Sequence, residues 1–174
     1  VNPANVLVDP LWVSGGKGKD GIEHPGCWDN ERDIWELPSG ISQDLFVIAT
    51  ADPSPSKFWA LQCWAYNPES EYRYLLESYR RKMDAPAFLD WSHEEQKFSG
   101  VAEEWWKITN EMGRPITHWV VEANAAQKFI MQYDHFRRWA ALRNVQLIPH
   151  YTHSRNKGDP KYGVQMLAPL WKVG

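Results

Sequence analysis

Runs of apolar residues separated by turn residues divide the first half of the chain into short extended segments. The run "LFVIATA" (45–51) is continuously apolar, which is typical of a strand buried on both faces. A turn rich in Pro and Ser follows Asp52, and "KFWALQCWAY" (57–66) predicts a second strand. Aromatic and polar residues alternate at the start of segment 71–83, which favours a third strand over a short helix.

The second half of the chain alternates between helical and extended patterns. Apolar residues recur every three or four positions in 99–113, and Gly113 closes this predicted helix. The segment "ITHWVVEAN" (116–124) predicts a short strand, and 125–144 predicts one long amphipathic helix. The segment "VQLIPHY" (145–151) predicts a last strand before a polar tail.

The remaining segments lack a clear period. Segment 84–98 is predicted as a connection, in which Asp90 or Ser92 could cap a helix. Residues 1–44 are predicted to be an irregular lead-in or linker, and residues 45–174 the main domain. The lead-in is expected to pack on the core through three tryptophans, Trp12, Trp28 and Trp35.

The predicted order of elements is β-β-β-α-β-α-β, followed by the start of a further helix. A meander of three strands followed by alternating helices and strands predicts an α/β fold with a mixed central sheet flanked by helices. This is the element order of the ribonuclease H-like (RNase H-like) fold, although order alone admits other α/β folds.

Composition narrows the class of protein. A chain of 174 residues fits one domain, and two cysteines are too few for a zinc or disulfide framework, so cytoplasmic thiols are expected. No apolar run approaches the length of about 20 residues that a membrane helix needs, and no secretory signal is visible. The chain does not begin with Met, from which we expect a piece of a longer protein.

Positive charge is concentrated in one part of the sequence. Segment 128–161 holds seven Lys or Arg against two acidic residues, which gives it a charge of about +5. Since the whole chain has a net charge of −3, the remaining residues together carry about −8. Such asymmetry indicates a basic surface for a polyanion. A solvated helix face would give the same pattern, and the sequence leaves both interpretations open.

Two carboxylates follow apolar strands. Asp52 ends the first predicted strand, and Glu122 ends the fourth. In an RNase H-like sheet these strands are parallel neighbours about 4.8 Å apart, so the two carboxylates could converge at one edge. Two acids at that distance repel unless a cation lies between them, and their oxygens suit Mg²⁺ or Mn²⁺ in phosphodiester hydrolysis. A turn residue or a helix cap is the alternative role for each acid alone.

Three blocks carry a resemblance to a known family: "ATADPSPSKFWALQCWAY", "PITHWVVEANAAQKFIMQYDH" and "IPHYTHSRNKGDPKYGV". Together they resemble the C-terminal nuclease domain of the large terminase subunit of tailed bacteriophages, in the version common in phages of actinobacteria. The resemblance implies a Mg²⁺- or Mn²⁺-dependent endonuclease that cuts concatemeric double-stranded DNA during genome packaging. Asp52 matches the first-strand acid of the family and Glu122 the fourth-strand acid. The implied partners are a terminase ATPase domain, a small terminase subunit and a portal, in the cytoplasm of the bacterial host, with no membrane.

The chain departs from the family pattern near its end. The family places a third carboxylate beyond the block that contains Asp159, and the domain is therefore expected to be truncated there. Asp159 is the late acid available as a third metal ligand, although its position before Pro160 is more typical of a loop-forming residue than of a ligand. Two alternatives remain: a catalytically incomplete DNA-binding or motor-docking module, and an RNase H-like junction resolvase.

Supporting residues are predicted on two segments. Asn124 and Gln127 lie where the fourth strand passes into a helix, a position suited to receiving a phosphate or to capping. The polar loop 152–161 supplies side chains that could neutralise DNA phosphates, with plain solvation as the alternative. Its candidates are His153, Arg155, Asn156, Lys157 and Lys161.

Overall fold

The computed structural model places the chain in two compact units, Val1–Asp33 with Thr152–Gly174, and Ile34–Tyr151. The residues that it describes are Leu11, 15–19, 21–24, Trp35, Leu37, 45–54, 58–124 and 128–151. In the described part of the first unit, β1 (Gly16–Lys17) pairs with β2 (Glu23–His24) as a short antiparallel ladder. The domain boundary that the sequence predicts at residue 45 stays a prediction.

The second unit is built on a five-stranded mixed sheet. Its strands and helices in chain order are β3 (Phe46–Asp52), β4 (Phe58–Tyr66), β5 (Arg73–Lys82), α1 (Ala85–Leu89), β6 (Trp91–Ser92), β7 (Lys97–Phe98), α2 (Val101–Glu111), β8 (Ile116–Glu122), α3 (Lys128–Gln132), α4 (Asp134–Arg143) and β9 (Gln146–His150). The sheet order is β5-β4-β3-β8-β9. Strand β4 runs antiparallel to β3 and β5, whereas β3, β8 and β9 run parallel to one another. The predicted fold class, an RNase H-like α/β sheet with helices, is confirmed.

The central strand β3 is buried on one face only. Val47, Ala49 and Ala51 are buried, while the residues between them are half-buried and the two end residues are exposed. The prediction of a strand buried on both faces is therefore wrong. The reason lies in the neighbouring strands, which place polar side chains beside the second face: Gln62 is opposite Thr50 on β4.

The buried face of the sheet packs against an aromatic core. The largest fully buried side chains are Trp59, Trp105, Trp119, Trp139, Phe88 and Phe136. The rings of Trp105 and Trp119 stack with centroids 6.0 Å apart, and Trp139 meets Trp119 edge-on at 5.7 Å. Trp35 packs edge-on against Trp105 at 5.6 Å, whereas Trp12 and Trp28 lie outside the described residues.

The connection between β5 and α2 is more regular than its sequence predicts. It forms helix α1 and the hairpin of β6 and β7. Asp84 caps α1, because its Oδ1 accepts a 2.8 Å hydrogen bond from the backbone N–H of Ala87. Asp90 ends α1 in the left-handed conformation (φ 45°), and Gly100 is the N-cap residue of α2. Of the two predicted capping residues, Asp90 therefore does cap a helix, at the C-terminus of α1, whereas Ser92 lies in β6.

The predicted helix 125–144 is two helices, because the chain leaves the helical conformation at Tyr133 (φ −73°, ψ 111°). Ile130 and Trp139 are both fully buried. In one continuous helix they would lie about two and a half turns apart and so on opposite sides. The break changes the phase of the second helix and allows both side chains to be buried.

In the described part of the chain, no helix is long and apolar enough to cross a membrane.

A buried ion pair connects α2 to α4. Glu103 is 1% exposed and accepts hydrogen bonds from Arg143 Nε (2.9 Å) and Nη2 (2.6 Å) and from Trp139 Nε1 (2.9 Å). Lys107 lies on the solvent side, with its Nζ 3.6 Å from the same carboxylate. The bidentate geometry fixes one helix against the other.

Candidate active site

The parallel strands β3 and β8 bring two carboxylates side by side at the carboxyl edge of the sheet. The register pairs Ala51 with Val121. The next residue in each strand is an acid, Asp52 in β3 and Glu122 in β8. Because parallel neighbours lie about 4.8 Å apart, the backbones of these two residues are adjacent.

Both acids belong to the same face of the sheet. Successive side chains in a strand alternate between faces, and Ala51 and Val121 lie on the buried face. Asp52 and Glu122 therefore belong to the opposite face, where Asp52 is exposed and Glu122 is half-buried. The carboxylate pair is therefore accessible to solvent.

Asn124 orients one of the two carboxylates. Its Nδ2 donates a 2.6 Å hydrogen bond to Oε1 of Glu122. The turn that holds it is anchored to β9, because the backbone N–H of Ala123 donates to the carbonyl oxygen of His150 at 2.8 Å. The sequence predicts a phosphate contact or a cap for Asn124, and the structure shows this contact with Glu122.

His150 is a residue of this edge that the sequence reasoning missed. It ends β9 and lies directly opposite Glu122, and its side chain is exposed. The carboxyl ends of three neighbouring parallel strands therefore carry Asp52, Glu122 and His150 in one row. A strand-end position next to a predicted acid was the signal that could have identified it.

The donor set of the pair fits a hard divalent cation. Mg²⁺ prefers carboxylate oxygens and commonly keeps several water molecules beside one or two protein carboxylates. Within the described ranges, no group of three or more His, Cys, Asp or Glu side chains could hold a metal ion. Asp52 and Glu122 would thus be the protein ligands from this part of the chain, with water and substrate oxygens completing the coordination.

Several predicted residues lie outside the described residues and stay predictions: Gln127, His153, Arg155, Asn156, Lys157, Asp159 and Lys161. The basic segment 128–161 is described only to residue 151. There, Arg143 is bound to Glu103, and the guanidinium of Arg138 lies 4.5 Å from the ring centroid of Trp91. Arg143 therefore has a structural partner and is not simply part of a basic surface.

Comparison with known proteins finds similarity in structure alone. No family model and no curated protein matches the sequence. The chain is similar to the nuclease domain of the P22 large terminase (TM-score 0.40, 11% identity, covering 81% of this chain and 64% of that one). It is also similar to the large terminase of a thermophilic bacteriophage (TM-score 0.40, 11% identity, 84% and 31%). A third similar structure is the Holliday junction resolvase of fowlpox virus (TM-score 0.33, 13% identity, 73% and 91%).

This chain spans less than two thirds of each of the two terminase structures. At such identities and TM-scores the similarity does not show the activity of this chain. The strand order and the register define the class of protein: an RNase H-like α/β domain with two adjacent carboxylates at the carboxyl edge of its sheet.

Proposed function

We propose that this chain is a metal-dependent endonuclease domain that hydrolyses phosphodiester bonds of concatemeric double-stranded DNA, as part of a phage packaging terminase. The observation that carries the proposal is the register of β3 and β8, which places Asp52 beside Glu122 on one accessible face. The three sequence blocks that resemble terminase nuclease domains support the same activity.

The roles of the residues follow from their positions. Asp52 and Glu122 would hold Mg²⁺ or Mn²⁺, which supplies activation of water and stabilisation of the leaving oxygen. Asn124 fixes the orientation of Glu122 through its 2.6 Å hydrogen bond and is a positioning residue. Because the pair lies at the end of the strands and reaches solvent, a duplex can approach it without unfolding of the domain.

The partners and the location belong to the same proposal. The sequence resemblance supports assembly with a terminase ATPase domain, a small terminase subunit and a portal, in the cytoplasm of a bacterial host. Asp159 is retained as a candidate third ligand, and loop 152–161 as a candidate DNA contact.

Nicking of supercoiled plasmid in Mg²⁺ or Mn²⁺ tests the activity. We expect Asp52→Asn and Glu122→Gln each to lower the rate by about two orders of magnitude or more, because metal ligation contributes several kcal/mol to transition-state stabilisation. Asp134→Asn is the matched control, since this acid is 94% exposed on α4 and forms only a 3.8 Å contact with Arg137. Its rate should stay within about two-fold of the original, as expected for an exposed pair.

Each result has a distinct meaning. Cutting that survives both substitutions would show that the active site lies elsewhere. DNA binding without cutting by the unsubstituted chain would favour the incomplete binding module. Cleavage of four-way junctions in preference to linear duplex would favour the resolvase.

A further inference from the structure

The strand farthest from β9, β5, carries cations on the face of the carboxylate pair. Asp52 lies opposite Ala60 on β4, and Ala60 lies opposite Arg80 on β5. Residues opposite one another share a face, so Arg80 belongs to the same face as Asp52. Lys82, two residues further along β5, lies on that face as well. Arg81 lies on the other face, opposite the buried Trp59.

The side chains of Arg80 and Lys82 both contact the exposed aromatic ring of Phe58. Phe58 begins β4 opposite Lys82 and is 48% exposed. The guanidinium carbon of Arg80 is 5.1 Å from the centroid of its ring, and Nζ of Lys82 is 5.9 Å from it. Both side chains are exposed, and neither forms a salt bridge with a carboxylate of the described residues. Their charges are thus available to an external anion.

We propose that Phe58, Arg80 and Lys82 form a surface that binds the phosphate backbone of duplex DNA beside the carboxylate pair, a role that rests on the proposed function. Strand β5 lies two strand spacings, roughly 10 Å, from β3. Long cationic side chains at that distance can reach phosphates that flank the one at Asp52. Because two carboxylates repel a polyanion, nearby cations are needed to attract it.

A second role of charged residues on an edge strand is to prevent pairing with other chains. Arg73 allows an experiment to distinguish DNA binding from the prevention of strand pairing. It lies at the opposite end of β5, is exposed, and has its guanidinium carbon 5.4 Å from the ring centroid of Tyr66. It therefore matches Arg80 in strand, exposure and ring contact, but it is far from the carboxylate edge.

Fluorescence anisotropy with a short DNA duplex in EDTA tests this surface without cleavage. Between about 50 and 200 mM salt, we expect the variant Arg80→Ala, Lys82→Ala to bind roughly ten-fold more weakly and to lower the salt slope by about 1 to 2. Arg73→Ala should bind within about two-fold of the original chain. The charge-preserving variant Arg80→Lys, Lys82→Arg should keep the original slope, which shows that the positive charges are required and not the particular side chains.

Unchanged affinity and slope in the double alanine variant would overturn the proposal, as would the absence of DNA binding by the unsubstituted chain. The plasmid assay separates this result from that of the proposed function. Binding that depends on Arg80 and Lys82 without any cleavage would reject the nuclease and retain the surface. Cleavage with an unchanged KM in the double alanine variant would reject the surface and retain the nuclease.

Discussion

At the scale of single residues, Glu103 is a buried charge whose removal should be costly. Its carboxylate accepts hydrogen bonds from Arg143 and Trp139, and truncation would leave the guanidinium without its partner. We expect Glu103→Ala to lower the free energy of unfolding by about 3 kcal/mol or more. Urea denaturation followed by tryptophan fluorescence measures this loss.

Lys107→Ala is the control at the same carboxylate. Lys107 lies 3.6 Å from Glu103 and its side chain is 57% exposed, so its removal should change the free energy of unfolding by less than about 1 kcal/mol. Equal losses in the two variants would contradict the structural role given to Glu103.

The sequence predicted some functional residues and not others for a physical reason. Asp52 and Glu122 each end an apolar run, so local pattern and strand adjacency were sufficient to pair them. Glu103 stands beside a second glutamate in "AEEWW", and the choice of which one is buried depends on Arg143, 40 residues further on. No local pattern contains that information.

At the scale of elements, the start of α2 requires a residue without a side chain. A Cβ on Gly100 would overlap the carbonyl oxygen of Phe88 and lie 2.6 Å from the carbonyl carbon of Leu89. Both are backbone atoms at the end of α1, which cannot move away as a flexible side chain could. We expect Gly100→Ala to lower the free energy of unfolding by about 3 kcal/mol, at the upper end for overpacking.

Gly113 provides the comparison at the other end of α2. It has φ +74° but open space around the position of a Cβ. Gly113→Ala should therefore cost only the conformational strain of about 1 to 2 kcal/mol. Thermal denaturation of both variants checks the order, and a smaller loss for Gly100→Ala would show that the two helices separate easily.

The five strands of the sheet were predicted in the correct order because each is an apolar or alternating run bounded by turn residues. The break at Tyr133 was missed because segment 125–144 is amphipathic enough for one helix. The need to bury both Ile130 and Trp139 arises only when the sheet is in place. Tertiary packing, which local sequence does not show, decided this element.

At the scale of the whole molecule, the distribution of cations differs from the one that the sequence emphasised. Segment 128–161 holds seven Lys or Arg against two acidic residues, whereas Arg80 and Lys82 lie in a part of the sequence with nearby glutamates. Strand pairing places these two cations on the face of Asp52. Alternation along β5 could have predicted their shared face, but not the strand that they lie beside.

The proximity of two acids also links metal binding to the stability of the whole domain. Like charges on neighbouring residues repel, so a cation held between Asp52 and Glu122 would stabilise the folded chain. A ligand whose free concentration is ten times its dissociation constant raises the free energy of unfolding by about 1.4 kcal/mol. For a chain of this size, that corresponds to a rise in Tm of roughly 3 to 6 °C. We expect such a rise in Mn²⁺, measured by differential scanning calorimetry.

Glu122→Gln should remove the rise in Tm that Mn²⁺ causes. An amide oxygen can still accept the hydrogen bond from Asn124, while one of the two repelling charges is removed. The variant should therefore melt at an equal or higher temperature than the original chain without metal, and Mn²⁺ should no longer raise its Tm. Asp134→Asn should retain the full response, because its carboxylate is distant from the pair in sequence and exposed on α4. A response to Mn²⁺ that persists in Glu122→Gln would mean that the metal binds to other residues, even if plasmid cleavage is lost.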